Sequence, residues 1–153
     1  MIVYNRIKGK LSYDSYAMEV HNIDTRSLPN DINKFLNKVC CILQDTSNFI
    51  LKRNRRNEKA NPKYTTETCL LELEYDAEDV INEIKSLSLN HYYQTLFDEK
   101  GRGHQPIYVF IKIIQKKQVY IKIQLKERTD GEKVVCISFH YAEHEISKLP
   151  YAK

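Results

Sequence analysis

The last third of the chain contains three consecutive runs that alternate apolar and polar residues, and this pattern limits the fold more than any other feature. The runs lie within PIYVFIKIIQKKQVYIKIQLKERTDGEKVVCISFHYAEHE, interrupted first at Lys116–Lys117 and then at Arg128–Gly131. Alternation with a period of two is typical of half-buried β-strands, and the Asp-Gly pair in the second interruption favours a hairpin. The sequence therefore predicts a C-terminal meander of three antiparallel strands.

The middle strand of this meander sorts its side chains onto two faces. Apolar and polar residues alternate along VYIKIQLK, so one face should join a core while the other carries hydrogen-bonding and cationic groups. The polar row consists of Tyr120, Lys122, Gln124 and Lys126. Lys112 and His140 can lie beside this row on the neighbouring strands. A sheet face with phenol, ammonium and imidazole groups suits the binding and cleavage of a phosphodiester, which is the working hypothesis.

An amphipathic helix is predicted upstream. After Pro29, with Asn30 as its N-cap, apolar residues recur at spacings of three and four over a stretch that ends near residues 44–48. A short strand over residues 49–53 follows.

Residues 1–28 do not fit this pattern; they could form two short strands, an addition to the edge of the sheet, or a family-specific extension. We therefore divide the chain into an N-terminal extension, residues 1–28, and a main domain, residues 29–153.

Two further helices are predicted before the meander. Thr65 or Thr66 can cap a short helix through Leu73, which is preferred although LELEY also alternates like a strand. Asp76 is the predicted N-cap of the next helix, and Ser88 opens one further turn in LNHYYQTLF. Helices before a run of strands predict the α+β class, with an antiparallel sheet packed against two or three helices.

The composition is that of one globular domain. A chain of 153 residues with 42% hydrophobic and 29% charged residues can build a core, which excludes collagen-like and wholly disordered proteins. The four cysteines lack C-x-x-C spacing. Cys40 and Cys136 are predicted as small buried residues, and no cofactor is expected. Because no window resembles a secretory or membrane-spanning segment, the sequence predicts a cytoplasmic protein that contacts no membrane.

Positive charge is concentrated between the short strand and the second helix. The net charge of +4 alone does not identify a nucleic-acid partner. The cationic residues of this segment could bind RNA or an acidic protein, although a solvent-exposed loop without a partner can have the same composition. Eleven tyrosines without a tryptophan add groups that can stack on bases. The cationic residues are Lys52, Arg53, Arg55, Arg56, Lys59 and Lys63.

Five pieces of the chain occur in the order seen in the MqsR-like toxins: FILKRNRRN, LELEYDAEDVINEIKSLSLNHYYQ, YVFIK, VYIKI and VVCISFHYAE. The chain resembles this family of type II toxins of bacteria and mobile elements over about residues 32–146. The family is similar in fold to the RelE class of endoribonucleases. The resemblance implies a RelE-like fold, ribosome-independent cleavage of messenger RNA, and a cognate antitoxin protein that holds the toxin inactive.

The resemblance also implies site residues. The family's catalytic tyrosine falls on Tyr120, and the lysine two places further falls on Lys122. Three other family positions hold different residues here. The lysine after Ser-Phe is replaced by His140, the lysine after the aromatic pair by Gln94, and the strand glutamine by Val109.

Metal-independent RNA cleavage requires that the 2′-hydroxyl lose a proton, that the 5′-oxygen gain one, and that charge on the phosphorane be stabilised. Imidazole titrates nearest neutrality, which makes His140 the natural proton-transfer group. The sequence thus predicts Tyr120, Lys122 and His140 as catalytic residues acting on single-stranded messenger RNA. The further candidates for binding phosphate or a base are Lys112, Arg53, Arg55, Arg56 and Tyr93.

Three alternatives stay open at this stage. The changes at Gln94 and Val109 favour a non-catalytic interaction protein on the same scaffold, such as a phage or mobile-element inhibitor. An RNA-binding module without cleavage is the second alternative. The third is zinc binding by the H-x-x-x-H pair of His140 and His144, which is not expected because a structural site requires four ligands.

Overall fold

The computed structural model describes residues 26–53, 61–98 and 100–153. Within them, three helices accompany a five-stranded sheet. The helices are α1 (Pro29–Ile42), α2 (Thr66–Leu73) and α3 (Ala77–Lys85); the strands are β1 (Phe49–Leu51), β2 (Tyr92–Leu96), β3 (Ile107–Ile114), β4 (Lys117–Arg128) and β5 (Gly131–Tyr141). The strand order in the sheet is β1-β5-β4-β3-β2, in which β1 runs parallel to β5 and the other neighbours are antiparallel. The predicted α+β class and its C-terminal meander, β3 to β5, are confirmed.

Both predicted hairpins are present. Strands β3 and β4 are joined by Gln115 and Lys116, whose φ angles are +49° and +70°. Two consecutive positive φ angles are what a type I′ hairpin turn requires, and this turn achieves them without glycine. At the second hairpin, the glycine of the Asp-Gly pair, Gly131, has a φ of +119°, a conformation that residues with a Cβ rarely adopt.

The meander separates an inner face, which packs against the helices, from an outer face. Val119, Ile121 and Ile123 of β4 are completely buried on the inner face. Phe35 of α1 stacks on Tyr108 of β3, with ring centroids 3.9 Å apart. Full burial of one large apolar side chain stabilises the fold by about 1.5–3 kcal/mol. The contact between the helices and the inner face of the sheet is therefore a major part of the core. The predicted sorting of β4 is confirmed.

A β-bulge in β5 decides which of its side chains join that core. Lys122 pairs with Ser138 and Ile123 pairs with Cys136, which leaves Ile137 as an extra residue. Cys136 and Phe139 are three positions apart, so a regular strand would direct them to opposite faces. The bulge allows both to be completely buried in the core.

The helix caps agree with the sequence at α2 and α3 but not at α1. The Thr65 side chain accepts from the Thr68 amide, and Asp76 forms a capping box with Asp79. The prediction of Asn30 as the cap of α1 is wrong: the N-cap is Leu28, with Pro29 as the first helical residue. Proline has no amide hydrogen and a φ suited to the first helical position, so the helix starts two residues earlier than a cap at Asn30 would place it.

Strand β2 was not predicted. A short 3-10 turn, Leu89–His91, follows Ser88 as expected, but the chain then extends as a strand instead of continuing to coil. Tyr92 and Thr95 are both fully buried, and the pairing with β3 shifts between Tyr92 and Gln94. This irregularity spaces the two buried residues by three, which is a helical spacing and hides the strand.

Three other outcomes concern the ends and the surface. The predicted extension lies outside the described residues, except for residues 26–28. Cys136 is buried as predicted, whereas Cys40 is only half-buried. Within the described ranges, no helix has both the length and the apolar content needed to cross a bilayer.

Candidate active site on the outer face of the sheet

Tyr120 and His140 lie side by side on the outer face. They are direct partners in the β4–β5 register, and their rings stack with centroids 5.4 Å apart and planes inclined by 12°. Lys122 lies two residues along β4, and its Nζ is 5.5 Å from the centroid of the Tyr120 ring. All three side chains are half-buried. The structure therefore brings the predicted phenol, ammonium and imidazole groups together on one face.

A second tyrosine reaches the same place from β2. The ring of Tyr93 meets the edge of Tyr120 at a centroid distance of 6.3 Å and an angle of 73°. Strand β3 lies between them, and its residue opposite Tyr120 is Ile111, which is almost completely buried. An aliphatic side chain there allows the two aromatic rings to approach above the sheet. The sequence-predicted base-binding residue Tyr93 thus joins the three predicted catalytic residues.

These four side chains line one cavity of about 330 Å³. The segment after β5 forms another wall of it, and Gln94 of β2 contributes as well. No role was predicted for Glu143, and His144 was considered only as a zinc ligand. Its position four residues after His140 is the signal that could have placed His144 in this cavity. Among the residues that the structure describes, the lining consists of Tyr93, Gln94, Tyr120, Lys122, His140, Ala142, Glu143, His144 and Ile146.

The hydrogen bond of His140 fixes its tautomer. Its Nδ1 lies 2.8 Å from the carbonyl oxygen of Tyr141. A carbonyl oxygen can only accept, so Nδ1 carries the hydrogen and donates it. In the neutral ring the lone pair then resides on Nε2, which is the atom that can take a proton.

Two positions where this chain differs from the resembled family lie next to these residues. Gln94 lines the cavity and pairs in register with Val109, which in turn pairs with Lys122. Val109 is completely buried. Gln94 therefore contributes an uncharged amide to the cavity, whereas Val109 is buried in the sheet between Gln94 and Lys122 and does not line the cavity.

Lys112 does not join this site. It pairs with Val119 on the inner face, where its Nζ lies 2.6 Å from Glu83 Oε1 and also contacts Ser86 Oγ. The expectation that it lies beside the polar row is wrong, because Lys112 occupies an even position and the outer residues of β3 occupy odd ones. The Tyr75 hydroxyl donates to the other oxygen of Glu83.

This inner cluster shifts two pKa values. Burial raises the pKa of Glu83, but hydrogen bonds from Lys112 and Tyr75 and the charge of Lys112 outweigh it, and the net pKa lies below the ordinary value. The pKa of Tyr75 rises to about 12, chiefly because its hydroxyl donates to the Glu83 carboxylate. The cluster thus binds α3 to β3 and has no access to the outer face.

Arg53, the one predicted arginine that the structure describes, does not line this cavity. Arg53 is exposed just after β1, the strand on the far side of β5 from β4. Arg55 and Arg56 lie outside the described residues. Among the residues that the structure describes, no group of three or more His, Cys, Asp or Glu side chains could hold a metal ion.

A comparison with protein families gives one match. The model described as "Motility quorum-sensing regulator, toxin of MqsA" matches residues 46–141, which include α2, α3 and the whole sheet. The match begins after α1 and ends before the loop that contains Glu143 and His144. No curated protein and no solved structure matches the chain.

Proposed function

The chain belongs to the MqsR toxin family, the toxins of toxin–antitoxin systems, and from this premise we propose that it is an endoribonuclease that cleaves single-stranded messenger RNA without a metal ion. Its main domain, residues 29–153, would act in the cytoplasm, where a cognate antitoxin would hold it inactive. The observation that carries the proposal is the cluster of stacked Tyr120 and His140 with Lys122 beside them on one face of the sheet.

The cluster supplies the groups that the reaction needs. His140 Nε2 removes the proton of the 2′-hydroxyl, which then attacks the adjacent phosphorus and produces a 2′,3′-cyclic phosphate. Lys122 stabilises the negative charge that develops on the non-bridging oxygens. The hydroxyl of Tyr120 donates to the same phosphate, and Tyr93 offers its ring to a neighbouring base.

Incubation of the purified protein with labelled single-stranded RNA in the presence of EDTA tests this proposal. Removal of a general base or of a charge-stabilising group typically costs about 10²-fold or more in rate, so His140→Ala and Lys122→Ala should each show at least that loss. Tyr120→Phe removes a single hydrogen bond, and a loss of about tenfold is expected.

Lys126→Ala is the matched control. Lys126 belongs to the same polar row of β4 but pairs with Lys133, away from the cavity. The Lys126→Ala variant should cleave RNA at the wild-type rate. Full activity in all three site variants, or no cleavage by the wild type, would reject the nuclease assignment.

Gln94 and Val109 favour a second candidate function, a module that binds RNA or a protein partner without cleavage. The site has fewer charged and hydrogen-bonding groups than the family pattern implies, and binding demands less exact chemistry than catalysis. In this case RNA would remain intact, its affinity would fall with rising salt, and Lys122→Ala would weaken binding. A non-catalytic protein inhibitor would bind no RNA but would co-purify with one specific protein.

A further inference from the structure

The loop after β5 brings a second imidazole into the cavity. His144 and His140 line the same space of about 330 Å³. Because His144 lies beyond the part of the chain that matches the family model, its role cannot be read from the family. Two imidazoles in one cavity can act as a proton acceptor and a proton donor at the same time, which one imidazole cannot.

One residue of β4 holds this loop at both ends. The amide of Ala142 donates to the backbone oxygen of Gln118 at 2.9 Å. The side chain of Gln118 donates to the oxygen of Ile146 at 2.7 Å and accepts from its amide at 2.8 Å. Three hydrogen bonds thus fix the two ends of residues 142–146, and His144 lies at the middle of this span. The backbone on both sides of His144 is therefore attached to β4.

Cleavage by the 2′-hydroxyl involves two proton transfers at different oxygens. The proposed mechanism assigns the first to His140 but names no donor for the leaving 5′-oxygen. We propose that His144 is the general acid that protonates this oxygen, an inference that rests on the proposed nuclease function. The site would then operate with a pair of imidazoles, one taking a proton and the other giving one.

The 2′-hydroxyl proton passes to His140 Nε2 while the bond between the 2′-oxygen and phosphorus forms. The bond between phosphorus and the 5′-oxygen breaks, and that oxygen takes a proton from the imidazolium of His144. The products are a 2′,3′-cyclic phosphate and a free 5′-hydroxyl, with no change in the total number of protons.

An imidazole suits the donor role better than the ammonium group in the same cavity. Alkylammonium groups release their proton only well above neutral pH, whereas imidazole exchanges one near neutrality. Lys122 therefore serves as a fixed positive charge, and a proton donor of intermediate acidity is still needed. Among the described residues that line the cavity, His144 supplies the second imidazole.

A substrate with sulfur in place of the 5′-bridging oxygen tests this assignment. Cleavage sites are first mapped on ordinary RNA, and the sulfur is then placed at one of them. A thiolate leaves without protonation, so loss of the general acid should matter little for this substrate. We expect His144→Gln to be slowed about 10²-fold or more on ordinary RNA but less than about tenfold on the sulfur substrate. His140→Ala should stay impaired on both.

His104→Gln is the control for replacing an exposed histidine, since His104 pairs with Asp98 and does not line the cavity. It should match the wild type on both substrates. If His144→Gln cleaves ordinary RNA at the wild-type rate, or loses equal activity on both substrates, the assignment of the general acid is overturned while the nuclease function stands. If the wild type cleaves neither substrate, the proposed function itself fails.

Discussion

Replacement of Lys112 by methionine should destabilise the protein and leave RNA cleavage intact. Methionine is an unbranched side chain one atom shorter than lysine, so the substitution keeps most of the packing but leaves Glu83 without its cation. Breaking a fully buried ion pair costs about 3–5 kcal/mol. Here both side chains retain 18% exposure, so water can still reach the carboxylate, and a loss of about 2 kcal/mol is expected. For a domain of this size that corresponds to a melting temperature lower by about 4–8 °C.

A double variant separates the ion pair from other effects of the substitution. Glu83→Gln removes the charge but keeps an oxygen that can accept from the Tyr75 hydroxyl. In Lys112→Met/Glu83→Gln no unpaired charge remains, so the double variant should recover about half of the lost stability. Urea unfolding gives the four free energies of this cycle.

The pH dependence gives an independent reading of the same pair. The pKa of Glu83 is lowered in the folded protein from the ordinary value of 4.5, so its contribution to stability is complete above that pH and is lost as the pH falls through the folded value. In Lys112→Met this loss on the acid side should shrink. If Lys112→Met keeps its wild-type stability at every pH but loses RNA cleavage, the assignment of Lys112 to the inner face is refuted.

Three further predictions concern other parts of the fold. Asp76→Ala should lower the free energy of unfolding by about 1 kcal/mol in a urea titration, because it removes the acceptor of the α3 capping box; an unchanged midpoint would contradict this role. Gln118→Leu should lower kcat by a larger factor than it changes KM, because it removes the two hydrogen bonds that hold the loop containing His144. Equal factors of change in kcat and KM would instead indicate a general loss of structure. Iodoacetamide should label exposed Cys41 in the native protein and spare Cys69 and Cys136, because burial raises the pKa of both buried thiols to about 12. If mass spectrometry finds Cys69 and Cys136 modified before Cys41, their assignment to the core is wrong.

The alternation in β4 made the central part of the site predictable. A strand with one buried face must direct every second residue outward, so Tyr120 and Lys122 could be placed on one surface from the sequence alone. His140 was also placed correctly beside them, although the reason involves the bulge at Ile137, which no local pattern in the sequence revealed.

The failures have equally specific causes. Lys112 was predicted to lie beside the site residues. Its even-numbered position in β3 instead directs it to the inner face, where Glu83 from α3 balances its charge. Strand β2 was missed because its buried residues, Tyr92 and Thr95, have a helical spacing. The presence of His144 in the cavity depends on hydrogen bonds between Gln118 and Ile146, a long-range pairing that the sequence does not encode locally.

An NMR titration with RNA that lacks the attacking 2′-hydroxyl tests most directly the claim that the outer face is where the phosphodiester binds. Deoxy substitution at the mapped cleavage position prevents the reaction, so the bound state persists during the measurement. We predict that amide shifts concentrate at Tyr93, Tyr120, Lys122 and His140, with little change at Glu83 and the rest of α3. Shifts that concentrate on the helices and leave the outer strands unchanged would contradict it.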